Sequence, residues 1–273
     1  MTSLADVVDL LHDWYPPATA HSFDAVGLVA GDPDAEVARV MFAVDPTIEV
    51  AREAVAWGAD LLVVHHPLFL TPVSSVAATT PKGRTLHALT SGGCALLTAH
   101  TNADQAESGV SESLALALGL RDLTPIQAED GSTTTGTGRV GTIGATTLEQ
   151  FAAHVAEVLP PTAHGVRVAG RADREVRRVA VCGGAGDFLL DELVGSDVDV
   201  FLTSDLRHHR AGEFLEHGGP ALVDVAHWAA EWTWLPVVEG RLRAAMGDRV
   251  ETRVSTLCTD PWTFSLLKSQ ESR

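Results

Sequence analysis

The sequence predicts an α/β protein of layered helices and mostly parallel sheets, built as two related halves. Three observations point there. Short apolar runs alternate with segments of helical period along most of the chain, the pattern of strands joined by crossover helices. Glycines stand where several of those helices should stop, at Gly58, Gly92-Gly93 and Gly119. Each half also carries a strand followed by a His-His pair, His65-His66 in the first and His208-His209 in the second.

Leu4 to Tyr15 places Leu4, Val7, Val8, Leu10 and Leu11 on one side, the stripe of an amphipathic helix. Val37 to Val44 reads as a buried strand, Thr47 to Trp57 as a helix that Gly58 ends, and Leu61 to Val64 as a short strand. Arg84 to Leu89 lies in a helix, Ala95 to Thr98 in a strand and Ser111 to Leu118 in a helix. Residues 122–146 are rich in Gly, Ser and Thr and poor in large apolar groups, so a loop with one weak strand, Arg139 to Ile143, is expected. A helix from Leu148 to Leu159 and a strand from Val166 to Ala169 follow. The stretch 122–175 thus reads as boundary and small insert between an N-terminal half, 1–121, and a C-terminal half, 176–273. In the second half the strands are Val179 to Cys182, Val198 to Leu202 and Leu222 to Val225, with helices at Asp187 to Val194 and Ala211 to His217. Ala229 to Met246 is mostly helical, and Pro236 must kink it or break it in two, because proline lacks an N–H and clashes with the preceding turn. Arg249 to Leu257 reads as a final strand.

Composition narrows the function classes. Apolar residues make up 45% of 273, enough for a substantial core. A formal charge of −17 repels a phosphate backbone, and the densest basic run, Arg171 to Arg178, is interrupted by Asp173 and Glu175, so no nucleic-acid partner is expected. There is no unbroken apolar stretch long enough to span a membrane. The start of the chain is acidic and amphipathic, unlike a signal peptide, so a cytoplasmic location is expected. Three scattered cysteines, Cys94, Cys182 and Cys258, form no C-x-x-C pair and read as small buried apolar residues.

The chemistry gathers where strands end, because α/β sheets present ligand sites beyond the carboxyl ends of their strands. His65 and His66 follow the Leu61 to Val64 strand, and His100, Thr101, Asn102 and Asp104 follow Ala95 to Thr98. Asp205, His208 and His209 follow Val198 to Leu202, and His227 with Glu231 follows Leu222 to Val225. Imidazole and carboxylate donors suit zinc, iron and manganese. His227 and Glu231, at i and i+4, share a helix face. Two adjacent histidines can aim at one site only where the strand has stopped and the backbone turns, as Pro67 encourages. Two glycine strings need separate treatment. Gly136 to Gly141 matches G-x-G-x-x-G but leads into a strand, the wrong context for a dinucleotide. Gly183, Gly184 and Gly186 sit between a strand and a helix, where backbone N–H groups could receive an anion or the turn could simply pack tightly.

These motifs, in this order, resemble the Nif-three-like family, also called type-two GTP cyclohydrolase I homologues. Ser22 to Leu28 is similar to the W-D-N-x-G-L motif, Gly58 to Leu68 to the string around the first His-His pair, and Ala99 to Asp104 to H-T-N-x-D. Gly136 to Gly141, Cys182 to Gly186, Thr203 to His209 and His227 to Glu231 follow. Departures fall at Ala25, at Thr203-Ser204-Asp205 and at Val225-Ala226 with Trp228, while every ligand position is kept. The resemblance implies the Nif-three-like fold, a toroidal homohexamer built as a trimer of dimers, and two divalent ions per subunit. It implies that His65 and His227 hold one metal, His66 and Asp104 the other, and that Glu231 bridges them. The expected function is a metal-dependent hydrolase acting on a nucleotide or other small anionic substrate, with His208 or His209 moving a proton or positioning the substrate. The rival expectation is a non-catalytic metal-binding hexamer with a regulatory, metal-handling or interaction role.

Overall fold

The alternation of side chains along a strand decides what each sheet can pack against. The computed structural model describes residues 2–266. In chain order the first elements are α1 (Leu4–Trp14), β1 (Gly27–Ala30), β2 (Arg39–Ala43), α2 (Ile48–Trp57), β3 (Leu61–Val64), α3 (Pro81–Ser91), β4 (Ala95–Thr98), α4 (Thr101–Gln105) and α5 (Val110–Ala117). Next come β5 (Arg121–Thr124), β6 (Gln127–Ala128), β7 (Gly136–Thr137), β8 (Arg139–Thr147), α6 (Leu148–Val158), β9 (Val166–Ala169) and β10 (Glu175–Ala185). The rest are α7 (Leu190–Leu193), β11 (Val200–Ser204), α8 (His208–Glu216), β12 (Ala221–Val225), α9 (His227–Trp232), α10 (Leu235–Met246) and β13 (Glu251–Val254).

Two mixed sheets result. The first has the order β1-β4-β3-β2-β13 and the second β5-β8-β10-β11-β12-β9, with β6-β7 a small separate pair. Each has a parallel stretch, β4-β3-β2-β13 and β10-β11-β12; antiparallel β1 adds to one edge of the first, and antiparallel β8 and β9 flank the second, with β5 beyond β8. In the first sheet Val40, Phe42, Leu61 and Val63 face one way, while Met41, Ala43, Leu62 and Val64 face the other. In the second, Val179, Val181, Val200 and Leu202 separate in the same way from Ala180, Cys182 and Phe201. The inner faces of both sheets join one continuous core through α1, α5, α6, α9 and α10. The outer face of the first sheet is covered by α2 and α3, and that of the second by α7 and α8. Each fully buried Leu, Val or Phe in these layers contributes about 1.5–3 kcal/mol by leaving water.

Local chemistry fixes the helix ends. Ser3 and Asp6 form a capping box at α1, and Thr147 and Gln150 form another at α6. Gly58 ends α2 at φ +78°, where a side chain would be strained. Pro236 breaks the helical run after β12 into α9 and α10 and lies in the first turn of the latter, where its missing N–H costs nothing.

Three stretches differ from expectation. Residues 122–146 are largely sheet: β8 runs for nine residues between β5 and β10. Its glycines concealed it, and one of them, Gly141, is required by a close neighbour: a Cβ there would lie 2.6 Å from Leu123 Cδ2. With α6 and β9, the stretch 122–175 builds a large part of the second sheet. The last strand is only β13, and it pairs with β2 of the first sheet, so the chain returns to the layer in which it began. Cys94 and Cys182 are buried as expected, and burial pushes the Cys94 thiol up to about 12, but Cys258 is exposed beyond β13.

Candidate metal centre

The carboxyl ends of β2, β3 and β4 in the first sheet meet those of β11 and β12 in the second. After β3 the His65 N–H donates to the carbonyls of Ala43 and Val44 (3.2 and 3.1 Å), and the His66 N–H donates to Val44 (2.9 Å). This turn swings two adjacent imidazoles to one side, their rings 5.0 Å apart. Asp104 comes from α4, just past β4, and His227 with Glu231 from α9, just past β12. Neither sheet alone supplies the whole set.

Glu231 stands at the middle and is 3% exposed. Its Oε1 lies 2.8 Å from His227 Nε2 and 3.4 Å from His65 Nε2, and its Oε2 lies 3.1 Å from His66 Nε2. Asp104 Oδ1 is 3.7 Å from His65 Nε2. Each imidazole is oriented from behind. His65 Nδ1 donates to the Ala99 carbonyl (2.9 Å), His66 Nδ1 to Asp45 (2.7 Å) and His227 Nδ1 to Asp205 (2.7 Å). These bonds hold the proton on Nδ1 and turn Nε2 to the centre, where it would ligate a metal on losing its own proton. His100 is a further imidazole, with its ring 5.0 Å from that of His65 and 5.5 Å from that of His66, and its Nδ1 on Asp24 at 2.9 Å.

The electrostatics follow from burial against proximity. Burial alone would raise the Glu231 carboxyl, but His66, His65 and His227 hold it well below the usual range. Burial would lower His227, yet Glu231 and Asp205 hold it up at about 10. The same competition, with Glu231 the main opposing charge, leaves His65 and His66 raised. Burial raises Asp104 to about 6, and burial together with His65 depresses His100 to about 4.

The residues fit a cation. His65 Nε2, Asp104 Oδ1 and Glu231 Oε2 are buried without a hydrogen-bond partner among the described residues. Such an orphan costs about 1–3 kcal/mol, and more if charged. Two groups have ligand atoms within 4.8 Å of one another, His65 with His66 and His100, and His66 with His227 and Glu231. Gly184 makes room for them: at φ +70° it presses against Glu231, and a Cβ there would lie 2.5 Å from Oε1.

The other expected site residues lie elsewhere. The N–H groups of Gly183 and Gly186 donate to Ser111 Oγ (3.2 Å) and Thr203 Oγ1 (2.9 Å), so the glycine turn packs behind Glu231 and does not present a free anion cradle. His208 and His209 are exposed at the start of α8, and His208 lines another groove with Leu215 and Arg167. Neither makes a hydrogen bond or ion pair with the cluster among the described residues. Sequence reasoning passed over Asp24 and Asp45. Asp45 comes two residues after β2, so the strand-end rule that found the histidines could have found it.

The fold and this cluster define an α/β protein with a buried imidazole–carboxylate centre able to hold a metal ion between two sheets. The chain belongs to the Duf34/NIF3 (NGG1p interacting factor 3) family, whose model matches residues 2–261. It is 47% identical to a "GTP cyclohydrolase 1 type 2 homolog" of Streptomyces coelicolor, over 100% of this chain and 98% of that protein. It is 36% identical to a Mycobacterium tuberculosis protein of the same name, over 96% of this chain and 97% of the relative. Among solved structures it is similar to a Staphylococcus aureus hypothetical protein, SA1388, with a TM-score of 0.88 and 28% identity over 97% of this chain and 99% of that one. A Bacillus cereus protein related to NIF3 shares the fold at a TM-score of 0.86 and 24% identity, covering 96% of this chain and 99% of its own.

Proposed function

We propose that His65, His66, Asp104, His227 and Glu231 hold two divalent ions, zinc, iron or manganese, and that the protein is a metal-dependent hydrolase. The observation that carries this reading is the division of Glu231. One carboxylate oxygen faces His65 and His227, the other faces His66, as expected of a carboxylate shared by two cations. Such ions supply Lewis-acid activation of water and of the bond under attack.

The chain's own residues do the rest. Asp45 and Asp205 keep His66 and His227 in the tautomer that ligates. The Trp234 ring, 5.7 Å from that of His65 and fully buried, closes the centre from behind and keeps bulk water out. His208 and His209, exposed on α8, remain open to a proton-transfer or positioning role only if substrate reaches that rim.

The name carried by the curated relatives makes the purine ring of GTP the first substrate to test. Purified protein with its native metal should turn over GTP or a related nitrogen heterocycle, and Glu231→Gln should abolish turnover while the circular-dichroism spectrum persists. Elemental analysis should find two ions per chain; one or none would overturn the dinuclear reading. Fully metallated protein that turns over nothing in a broad panel would favour a regulatory or metal-handling role.

The homohexamer, a trimer of dimers, and the cytoplasmic location are part of the same proposal. The hexamer rests on the family resemblance, and fractionation of the host cell would test the location. None of the described helices is long and apolar enough to cross a membrane. A light-scattering mass near that of one chain would sink the hexamer.

A further inference from the structure

The candidate centre opens into a cavity of about 290 Å³, bounded on one side by His66 and His227. That is near the small end of the range for ligand sites, about 300–1,000 Å³. The far wall comes from an unexpected place. After β13 the chain runs back over the carboxyl end of β2, Thr259 Oγ1 bonds to Asp45, and Asp260, Pro261 and Trp262 line the cavity.

Its charge is one-sided. Asp45, Asp205 and Asp260 line it, and no lysine or arginine among the described residues does; His164, also in the lining, is paired with Asp224. Asp45 and Asp205 are committed to His66 and His227. Asp260 is not: it is 9% exposed, and among the described residues it accepts only the Trp262 backbone N–H, at 2.8 Å. Its other oxygen has no protein partner among the described residues and is open to the cavity, where a ligand N–H can reach it. Trp262, 67% exposed, offers an aromatic face at the mouth. Around the centre stand the carboxylates of Asp24, Asp45, Asp104, Asp205, Glu231 and Asp260, so with the ligating histidines neutral the described residues would more than offset two divalent ions.

We infer that this cavity takes a flat, neutral or cationic nitrogen heterocycle that stacks on Trp262 and donates N–H groups to Asp260, and that it disfavours phosphorylated forms. The inference deepens the hydrolase reading and rests on it for the identity of the reacting centre. Asp260 and Trp262 are then determinants of specificity. A cation or N–H donor satisfies Asp260, whereas a triphosphate meets the like charge of Asp45, Asp205 and Asp260.

The test is calorimetric titration of metal-loaded, full-length protein with 2-aminobenzimidazole, guanosine and GTP. The first two should bind at least about ten times more tightly than GTP, the kind of discrimination a buried charge provides. Asp260→Asn should weaken 2-aminobenzimidazole at least about tenfold, and Trp262→Ala should weaken both non-phosphorylated probes similarly, with metal content unchanged in each. Trp262 is exposed, so its variant should fold even if the Asp260 variant does not. GTP binding as tightly as guanosine, no measurable binding of any probe, or parental affinity in both variants would overturn the inference. Tight binding of the heterocycles without turnover would support it while sinking the hydrolase reading. Turnover of GTP with parental KM in both variants would do the reverse.

Discussion

At the residue scale the centre is held by carboxylates of two kinds. Glu231 faces the histidine Nε2 atoms, whereas Asp45 and Asp205 stand behind His66 and His227 and set their tautomers. Asp45→Asn and Asp205→Asn should therefore each lower metal affinity by about 10–100-fold without unfolding the chain. Competition with a chromophoric chelator would measure this, and unchanged affinity in both would show that the aspartates are incidental. Gly184 makes a different demand. At φ +70°, with Glu231 Oε1 2.5 Å from where a Cβ would sit, it admits no side chain. Gly184→Ala should cost about 1–2 kcal/mol in backbone strain and also displace the carboxylate, so the purified variant should carry less metal. Parental metal content on elemental analysis would contradict that geometry.

At the element scale, β8 shows how a weak sequence signal can be a strong structural one. Its first residue, Arg139, is 1% exposed, and its guanidinium donates to the carbonyls of Gly136 (2.6 Å), Gly138 (2.8 Å), Ala106 (2.9 Å) and Thr134 (3.0 Å), with Glu112 at 3.4 Å. One side chain thus ties the loop before β8 to the turn that follows α4, the helix that carries Asp104. Arg139→Met would keep the volume but orphan those carbonyls, and should destabilise the protein by about 3–5 kcal/mol. A urea midpoint shifted by less than about 1 kcal/mol equivalent would refute the role. The helix break at Pro236 was legible, because proline's missing N–H is local chemistry. The extent of β8 was not, since Gly141 answers to Leu123 and Arg121 across the sheet.

At the scale of the whole molecule, the two halves are not independent. The centre draws His65, His66 and Asp104 from one sheet and His227 and Glu231 from the other, and β13 brings the last part of the chain back to β2. Ending the chain after Val250 should expose the β2 edge, with its row of unpaired backbone groups beside Met41 and Phe42, and give an insoluble product. Ending it after Cys258 keeps β13 and should leave a soluble protein with one cooperative thermal transition and an opened cavity. Equal solubility of the two truncations would show that β13 is dispensable.

The sequence by itself determined the α/β class, the strand ends that bear chemistry, and the identity of the histidines and carboxylates that converge. Periodicity, capping and metal-donor preference are properties of neighbouring residues, so they are written locally. Only the tertiary structure decided that Asp45 orients His66, that Gly183 and Gly186 spend their N–H groups on Ser111 and Thr203, that His208 and His209 stay at the surface, and that Asp260 and Trp262 wall the cavity. Each of these depends on contacts between segments far apart in the chain, whose proximity is set by how two sheets share one core and not by any pattern within a single segment.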